Sequence, residues 1–121
     1  MEKLKTDCIF CKIVRGEIPL KKVYEDENFI GILDANPVTE GHTLIIPKKH
    51  FANILEMPSS LGNEFIEAVK KMALKIIDEK KAEGFNFGIN TNKAAGQIVF
   101  HLHAHIIPRK KGDGIKLMQK P

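Results

Sequence analysis

Three of the five histidines stand at alternate positions, His101, His103 and His105, near the end of the chain. Alternate side chains of an extended strand face the same way, so this spacing predicts a row of imidazoles about 6.6–6.8 Å apart. Neighbouring imidazolium ions repel each other, so we expect at least some of these rings to be neutral near pH 7. A neutral imidazole can act as a nucleophile, a base or a metal ligand. A solvated histidine-rich strand is the alternative, but clustered titratable groups favour a functional site.

A loop of small and polar residues, Asn90 to Gln97, lies directly before these histidines. Such a loop can bring backbone N–H groups together, and nests of N–H groups bind phosphate oxygens. Its Ala-Gly pair by itself is more often only a turn. Because the loop adjoins the histidine row, the sequence predicts an anion held beside a nucleophile.

A Cys-x-x-Cys pair, Cys8 and Cys11, stands near the start of the chain. Structural zinc takes four ligands in a tetrahedron, so the pair is half of a zinc site that histidines would complete. A redox dithiol would have the same spacing, although no thioredoxin-like βαβ context surrounds the pair. Two buried apolar cysteines, or an unmetallated remnant of a site, are also compatible with this spacing.

The elements that must position these residues follow from hydrophobic periodicity and turn residues. The sequence predicts five strands, at 22–25, 29–33, 42–47, 85–90 and 97–108, and a short helix or turn within 8–14. One long helix should begin near Ser59 or Ser60, as an N-cap, and end near Gly84. Its apolar stripe recurs at spacings of three and four residues: Leu61, Phe65, Val69, Met72, Ala73, Ile76 and Ile77.

These elements predict an α+β fold, in which a mostly antiparallel sheet carries the long helix across one face. The residues that alternate with the histidines, Leu102, Ala104 and Ile106, should pack beneath that helix. The length of 121 residues suits a single domain that spans the whole chain. No apolar run approaches the roughly 20 residues of a membrane span. No secretory signal is recognisable at the start, and with only two cysteines a cytoplasmic location is expected.

The net charge of +4 is concentrated in the C-terminal tail. Five basic residues and one acidic residue follow position 108, whereas residues 1–108 contain 14 of each sign. A neutral body offers no broad basic face, so nucleic acid is not an expected partner. The tail is either a local positive field at the mouth of the predicted anion site or a solvated terminus.

The segment His101–Ile107 matches the pattern His-φ-His-φ-His-φ-φ, where φ is apolar, at every position. This pattern resembles the signature of the histidine triad (HIT) superfamily. The resemblance extends over nearly the whole chain, through Cys8–Pro19, Gly41–His50 and Ala95–Gln97, and points to the Hint-like branch with its bacterial and archaeal members.

The resemblance implies a nucleotide hydrolase or transferase that cleaves the bond between the α-phosphate and the leaving group of a purine nucleotide conjugate. His103 would attack the phosphate and form a covalent nucleotidyl-histidine, which water then cleaves. His105 would contact the phosphate or the leaving group, and His42 would support the triad. The implied fold is a five-stranded antiparallel sheet with one long and one short helix, which dimerises into a ten-stranded sheet.

The resemblance also implies which residues bind the substrate. Asp34 corresponds to the residue that binds the ribose hydroxyls. The purine pocket would be walled by Phe10, Ile13, Ile18, Ile32 and Leu33, and the phosphate would be surrounded by Asn90, Gly96 and Gln97. Ile98 stands where the family usually has Ser or Thr: its backbone N–H can still donate, but the hydroxyl that would position a leaving group is absent. The leaving-group preference therefore stays open.

The resemblance further assigns a structural zinc to Cys8, Cys11, His50 and His101, with no catalytic metal and no organic cofactor. Three rival functions are compatible with the sequence. One is a diadenosine polyphosphate hydrolase, typical of the Fhit branch. Another is a non-catalytic purine nucleotide-binding regulator. The last is a metallohydrolase in which the three alternate histidines hold a catalytic metal.

Overall fold

The computed structural model describes residues 7–117. The helices are α1 (Ile9–Val14) and α2 (Gly62–Lys80), and the strands are β1 (Tyr24–Glu25), β2 (Phe29–Leu33), β3 (Thr43–Pro47), β4 (Gly84–Gly88) and β5 (Ala104–Arg109). Single 3₁₀ turns lie at 54–56, 59–61 and 93–95. Lys120, one of the basic residues of the tail, lies outside the described residues.

All five strands form one antiparallel sheet in the order β1-β2-β3-β5-β4. The β2–β3 pair runs from Phe29 opposite Pro47 to Leu33 opposite Thr43. Strand β5 lies between β3 and β4, so the histidine-bearing end of the chain is central in the sheet. The predicted α+β fold with one long and one short helix is confirmed.

The sheet buries both faces, one against each helix. On the face toward α2, Phe29, Ile45, Ala104 and Ile106 pack with the helix residues Phe65, Ala68, Val69, Met72, Ala73 and Ile76. On the opposite face, Ile30, Ile32, Leu44 and Ile46 pack with Phe10 and Ile13 of α1. The strict alternation along β2 and β3 sends successive side chains to opposite faces. The burial of apolar surface therefore stabilises the packing of α1 against the strands that carry the candidate site.

The ends of α2 differ from the prediction. Its N-cap is Leu61, which makes no side-chain cap bond, because Ser59 and Ser60 belong to a preceding 3₁₀ turn. The helix ends at Lys80, and Lys81 takes a left-handed conformation with φ 54°. A left-handed residue is the usual way to end a helix, although glycine more often supplies it. Gly84 is instead the first residue of β4.

The last strand also begins later than predicted, at Ala104 and not at Gln97. The backbone N–H of Leu102 donates to the carbonyl of Phe51 at 2.7 Å, and the carbonyl of His101 accepts a bond from the His103 ring. These backbone groups thus form hydrogen bonds with partners outside the sheet, so the strand does not extend to them. Only His105 of the three alternate histidines lies within regular strand.

Within residues 7–117, no helix combines the length and the hydrophobicity that crossing a membrane requires.

Candidate active site and metal centre

His103 has one ring nitrogen fixed by the backbone. Its Nδ1 lies 2.7 Å from the carbonyl oxygen of His101. A carbonyl oxygen can only accept, so Nδ1 carries the proton and donates it. The neutral ring then has its lone pair on Nε2. Phe10 packs edge-on against the same ring, with the two centroids 5.1 Å apart. The packing and the hydrogen bond together hold His103 in the form that a nucleophile needs.

A chain of hydrogen bonds fixes the second imidazole pair. The backbone N–H of Val38 donates to Nδ1 of His42 at 3.0 Å, so the proton of that ring is on Nε2. His42 Nε2 lies 2.9 Å from His105 Nδ1 and donates to it. His105 must therefore carry its own proton on Nε2. The centroids of the His103 and His105 rings are 5.2 Å apart. His103 thus has a lone pair on its Nε2, and His105 has a hydrogen-bond donor on its Nε2.

Burial keeps this second pair neutral. It lowers the pKa of His42, and it lowers the pKa of His105 to about 4, aided by the charges that His103 and His42 would carry if protonated. Asp34 opposes the effect, because its Oδ2 lies 3.4 Å from His42 Nε2 and 4.0 Å from His105 Nδ1. Desolvation exceeds this attraction, so both rings are uncharged at neutral pH.

We expect the His105 ring to titrate near pH 4 in the free protein. Because an unfolded chain protonates its histidines near pH 6.5, the unfolded state binds more protons between about pH 6.5 and 4, and stability should fall as the pH drops through that window. NMR titration of the ring resonances measures the pKa, and urea unfolding at pH 7 and 5 measures the stability. Titration of His105 above pH 6 would contradict the buried neutral pair.

A cleft of about 490 Å³ opens beside His103 and His105. Of the predicted purine wall, the cleft is lined by Phe10, Ile13, Ile32 and Leu33. Of the remaining predicted residues, it is lined by Asp34, Asn90, Gly96 and Ile98. Apolar walls and a few convergent polar groups are typical of a small-molecule site.

Three of the predicted catalytic and substrate-binding residues lie away from this cleft. Ile18 packs at the edge of the apolar cluster under α1. His42 stands behind His105 and faces a neighbouring cavity of about 280 Å³. Gln97 is 3% exposed, and its side chain bonds to backbone groups. The positioning role of His42 is compatible with this placement, whereas the Gln97 side chain is not among the residues that line the cleft.

Further lining residues were not anticipated from the sequence: Ile9, Leu20, Ala35, Asn36, Leu44 and Val99. The alternation of β3 could have revealed Leu44, which shares a face with Ile46 and His42. No local signal marks the backbone groups of Val38 and Pro47 that fix ring protons. None of the tail's described basic residues lines the cleft, and Arg109 is instead paired with Asp113 at 2.8 Å.

The four predicted metal ligands come together at one point beside the cleft. Cys8 Sγ lies 3.3 Å from His101 Nδ1, Cys11 Sγ lies 3.3 Å from His50 Nδ1, and the two Nδ1 atoms are 3.1 Å apart. All four ligand atoms lie within 4.8 Å of one another. Zinc bond lengths of about 2.0–2.3 Å place tetrahedral ligand atoms about 3.3–3.8 Å apart, close to the distances observed here.

The tautomer of His101 also suits a metal. Its Nε2 lies 2.9 Å from the carbonyl of Pro47, so that nitrogen donates and Nδ1 is left with a lone pair toward the thiols. A backbone acceptor of this kind usually fixes the orientation of a metal-bound histidine. Two thiols and two imidazoles make a donor set that zinc prefers, so the residues fit the ion.

Similarity to known proteins agrees with this arrangement. The family model described as HIT domain matches residues 15–112. The chain belongs to the HIT domain family. The resemblance inferred from the triad is therefore confirmed, and His101, His103 and His105 are the triad of this HIT protein.

Two relatives and two solved structures illustrate the similarity. "Protein hit" of Bacillus subtilis is 50% identical over 115 residues, which cover 94% of this chain and 79% of that protein. "Adenylylsulfatase HINT3" of Arabidopsis thaliana is 46% identical over 110 residues, which cover 91% of this chain and 56% of that protein. A hypothetical histidine triad nucleotide-binding protein from Sulfolobus tokodaii has a TM-score of 0.84 and 47% identity, over 94% of this chain and 78% of that one. A Zn-bound histidine triad family protein from Mycobacterium smegmatis has a TM-score of 0.82 and 43% identity, over 95% of this chain and 84% of that one.

Proposed function

We propose that this HIT protein hydrolyses purine nucleotide conjugates of the nucleoside phosphoramidate type, through a covalent nucleotidyl-histidine on His103. One observation carries the proposal: the backbone fixes the proton of His103 on Nδ1, which leaves the Nε2 lone pair beside the Nε2–H of His105. The names of two relatives support the substrate class, since one is an adenylylsulfatase and another is a nucleotide-binding protein.

The first chemical step would transfer the nucleotidyl group to the enzyme. His103 Nε2 forms a bond to the α-phosphorus as the bond between phosphorus and the leaving nitrogen breaks. The Nε2–H of His105 donates a hydrogen bond to the phosphate and stabilises the charge that develops there, while the leaving nitrogen takes a proton from the solvent. The amine departs neutral with the electron pair of the broken bond, and the nucleotidyl-His103 ring carries the positive charge.

In the second step water attacks phosphorus and gives up a proton to the solvent. The bond from phosphorus to His103 Nε2 breaks, and its electron pair returns to that nitrogen. His42 holds Nδ1 of His105 in place through both steps. Asp34 lies beside this pair, in addition to its proposed contact with the ribose hydroxyls.

We propose a structural zinc on Cys8, Cys11, His50 and His101. When bound, the ion would cross-link α1 to the triad segment. Because His101 presents its carbonyl to His103, a fixed His101 also fixes the orientation of the proposed nucleophile. The Zn-bound relative from Mycobacterium smegmatis supports this proposal.

The metallohydrolase alternative finds little support in the geometry. The ligand atom of His101 points to the cysteines, His105 groups with Asp34 and His42, and within residues 7–117 His103 joins neither group. The three imidazoles of the triad therefore do not converge on one point. Turnover measurements separate the proposed activity from a non-catalytic regulator and from a diadenosine polyphosphate hydrolase.

The substrate class is tested by comparing kcat/KM on adenosine 5′-phosphoramidate and on diadenosine tetraphosphate, with and without a strong chelator. We expect a higher kcat/KM on the phosphoramidate and no loss of activity on brief exposure to the chelator. A higher value on the dinucleotide would favour the Fhit-type alternative. Absence of turnover on either compound would favour the regulator, and immediate loss with the chelator would favour the metallohydrolase.

We also propose a cytoplasmic homodimer joined through β4. This strand pairs only with β5 within the described sheet, and its Phe85 and Phe87 are about two-fifths exposed. An unpaired edge with exposed aromatic residues is a template for pairing with another strand. Antiparallel pairing of β4 with its counterpart would give the expected ten-stranded sheet.

Phe85→Glu should therefore convert the dimer to a monomer, because a carboxylate would be buried in the strand interface. Light scattering after size exclusion measures the mass. Leu55→Glu is a matched control, since Leu55 is 79% exposed in a 3₁₀ turn outside the sheet. A wild-type protein that is monomeric at micromolar concentration, or a Phe85→Glu variant that stays dimeric, would contradict the proposal.

A further inference from the structure

The Gln97 side chain is buried beneath the loop that contributes Asn90, Gly96 and Ile98 to the cleft. Its Oε1 accepts from the backbone N–H of Asn92 at 2.8 Å. Its Nε2 donates to the carbonyls of Ala52 at 2.7 Å and of Val99 at 3.0 Å. Both amide protons and the oxygen thus have backbone partners, so no donor of this side chain is left for a ligand.

The loop contains a backbone conformation that needs such support. Asn92 has φ 71° and ψ 161°, a region that is populated almost only by glycine. Residues held there persist only where surrounding contacts determine the conformation, and they cluster at ligand sites. The N–H of Asn92 donates to Gln97, and its carbonyl accepts from the Gln97 backbone N–H at 3.1 Å. Gln97 therefore forms two hydrogen bonds with Asn92, one through its side chain and one through its backbone.

The far end of the same side chain reaches the segment that follows the metal ligand His50. Ala52 accepts from Gln97, and the neighbouring carbonyl of Phe51 accepts from Leu102. These bonds join the segment 50–52 to both ends of the span 97–102, which runs from Gln97 to the triad. The Gln97 amide thus connects the loop to the segment after His50, and the bond from Leu102 connects that segment to the triad.

We propose that Gln97 is a positioning residue, which holds the loop 90–98 in the shape that receives the substrate phosphate and does not itself touch the ligand. The inference rests on the proposed function for the identity of that ligand. It assigns the catalytic contribution of Gln97 to the geometry of Asn90, Gly96 and the Ile98 backbone. Misplacement of such groups by about 1 Å can lower a rate by about 10²-fold.

Two variants of similar size test the proposal. Gln97→Met removes all three bonds, whereas Gln97→Glu keeps an acceptor for Asn92 and loses both donors. Hydrogen exchange of the nucleotide-free protein should quicken at Asn92 by about tenfold or more in Gln97→Met, and less in Gln97→Glu, because local opening sets that rate. In both variants kcat/KM on adenosine 5′-phosphoramidate should fall by about 10²-fold. Leu74→Ala changes an exposed position of α2, outside the loop and the cleft, and should leave exchange and activity near wild type.

The outcomes are distinct. Lost activity with unchanged exchange in the free protein would mean that Gln97 acts by touching the ligand, which overturns the proposal. Faster exchange with kcat/KM within threefold of wild type would mean that catalysis does not depend on the support that Gln97 gives to the loop, which also overturns the proposal. If the wild-type protein turns over no nucleotide conjugate, the proposed function fails. Even then, unchanged exchange at Asn92 in both variants would by itself show that Gln97 does not hold the loop in place.

Discussion

Replacing His103 by alanine should lower kcat on adenosine 5′-phosphoramidate by at least about 10⁴-fold, because removal of a catalytic nucleophile has effects of this size. Affinity for AMP should stay within a few-fold of wild type, because the apolar walls and Asp34 still line the cleft. Single-turnover kinetics measures the chemical step, and calorimetry measures AMP binding. His103 lies just before β5, which begins at Ala104, so its removal should leave the strand pairing intact.

A matched comparison separates loss of chemistry from loss of structure. His105→Gln keeps a side-chain amide in place of the imidazole, and it should reduce kcat less than His103→Ala. Leu74→Ala, at a position that is 70% exposed on α2, should leave the rate unchanged. A His103→Ala protein that retains turnover within tenfold of wild type would rule out the covalent intermediate on this residue.

Replacing Cys11 by alanine should abolish zinc binding and lower the free energy of unfolding by at least about 3 kcal/mol, since loss of a bound metal is among the largest single effects on stability. Cys11 is fully buried, and its sulfur lies within 3.5 Å of Nδ1 of both His50 and His101. Removing it would take away one of the four ligands of the proposed zinc site. Metal analysis of untagged protein and urea unfolding measure the two effects.

Lys12→Ala changes the residue next to Cys11 in α1 and is the control. It should keep about one zinc per chain and cost less than about 0.5 kcal/mol. If untagged wild-type protein is isolated without metal and shows full stability, the zinc site is excluded. Cys11 would then be a buried apolar side chain, and Cys11→Ala would cost only a small cavity.

Patterns of local spacing were enough to predict the architecture. The short apolar run 29–33 and the β-branched run 42–47 predicted strands whose bounds agree with β2 and β3 to within one residue. The stripe of apolar residues at helical spacing predicted the buried face of α2, of which Phe65, Val69, Met72, Ala73 and Ile76 are buried. Burial on one face of an element depends on its own periodicity, so these features are visible without the fold.

The ends of elements were predicted less well. The sequence placed a serine at the start of the long helix and a glycine at its end, but Leu61 and Lys81 take those positions. The strand expected from Gln97 begins at Ala104, because the backbone around His101 bonds to Phe51 and to the His103 ring. Such ends depend on which distant groups compete for backbone hydrogen bonds, and local preference does not encode that competition.

By itself, the sequence determined the residues available for chemistry: three alternate histidines, a Cys-x-x-Cys pair and a polar loop in front of them. Only the tertiary structure decided what each ring can do. The carbonyl of Pro47 turns the lone pair of His101 toward the cysteines, that of His101 leaves the lone pair of His103 on Nε2, and Val38 fixes His105 as a donor through His42. A histidine's tautomer depends on the partner that the fold brings to its other nitrogen, and for His101 that partner lies 54 residues away.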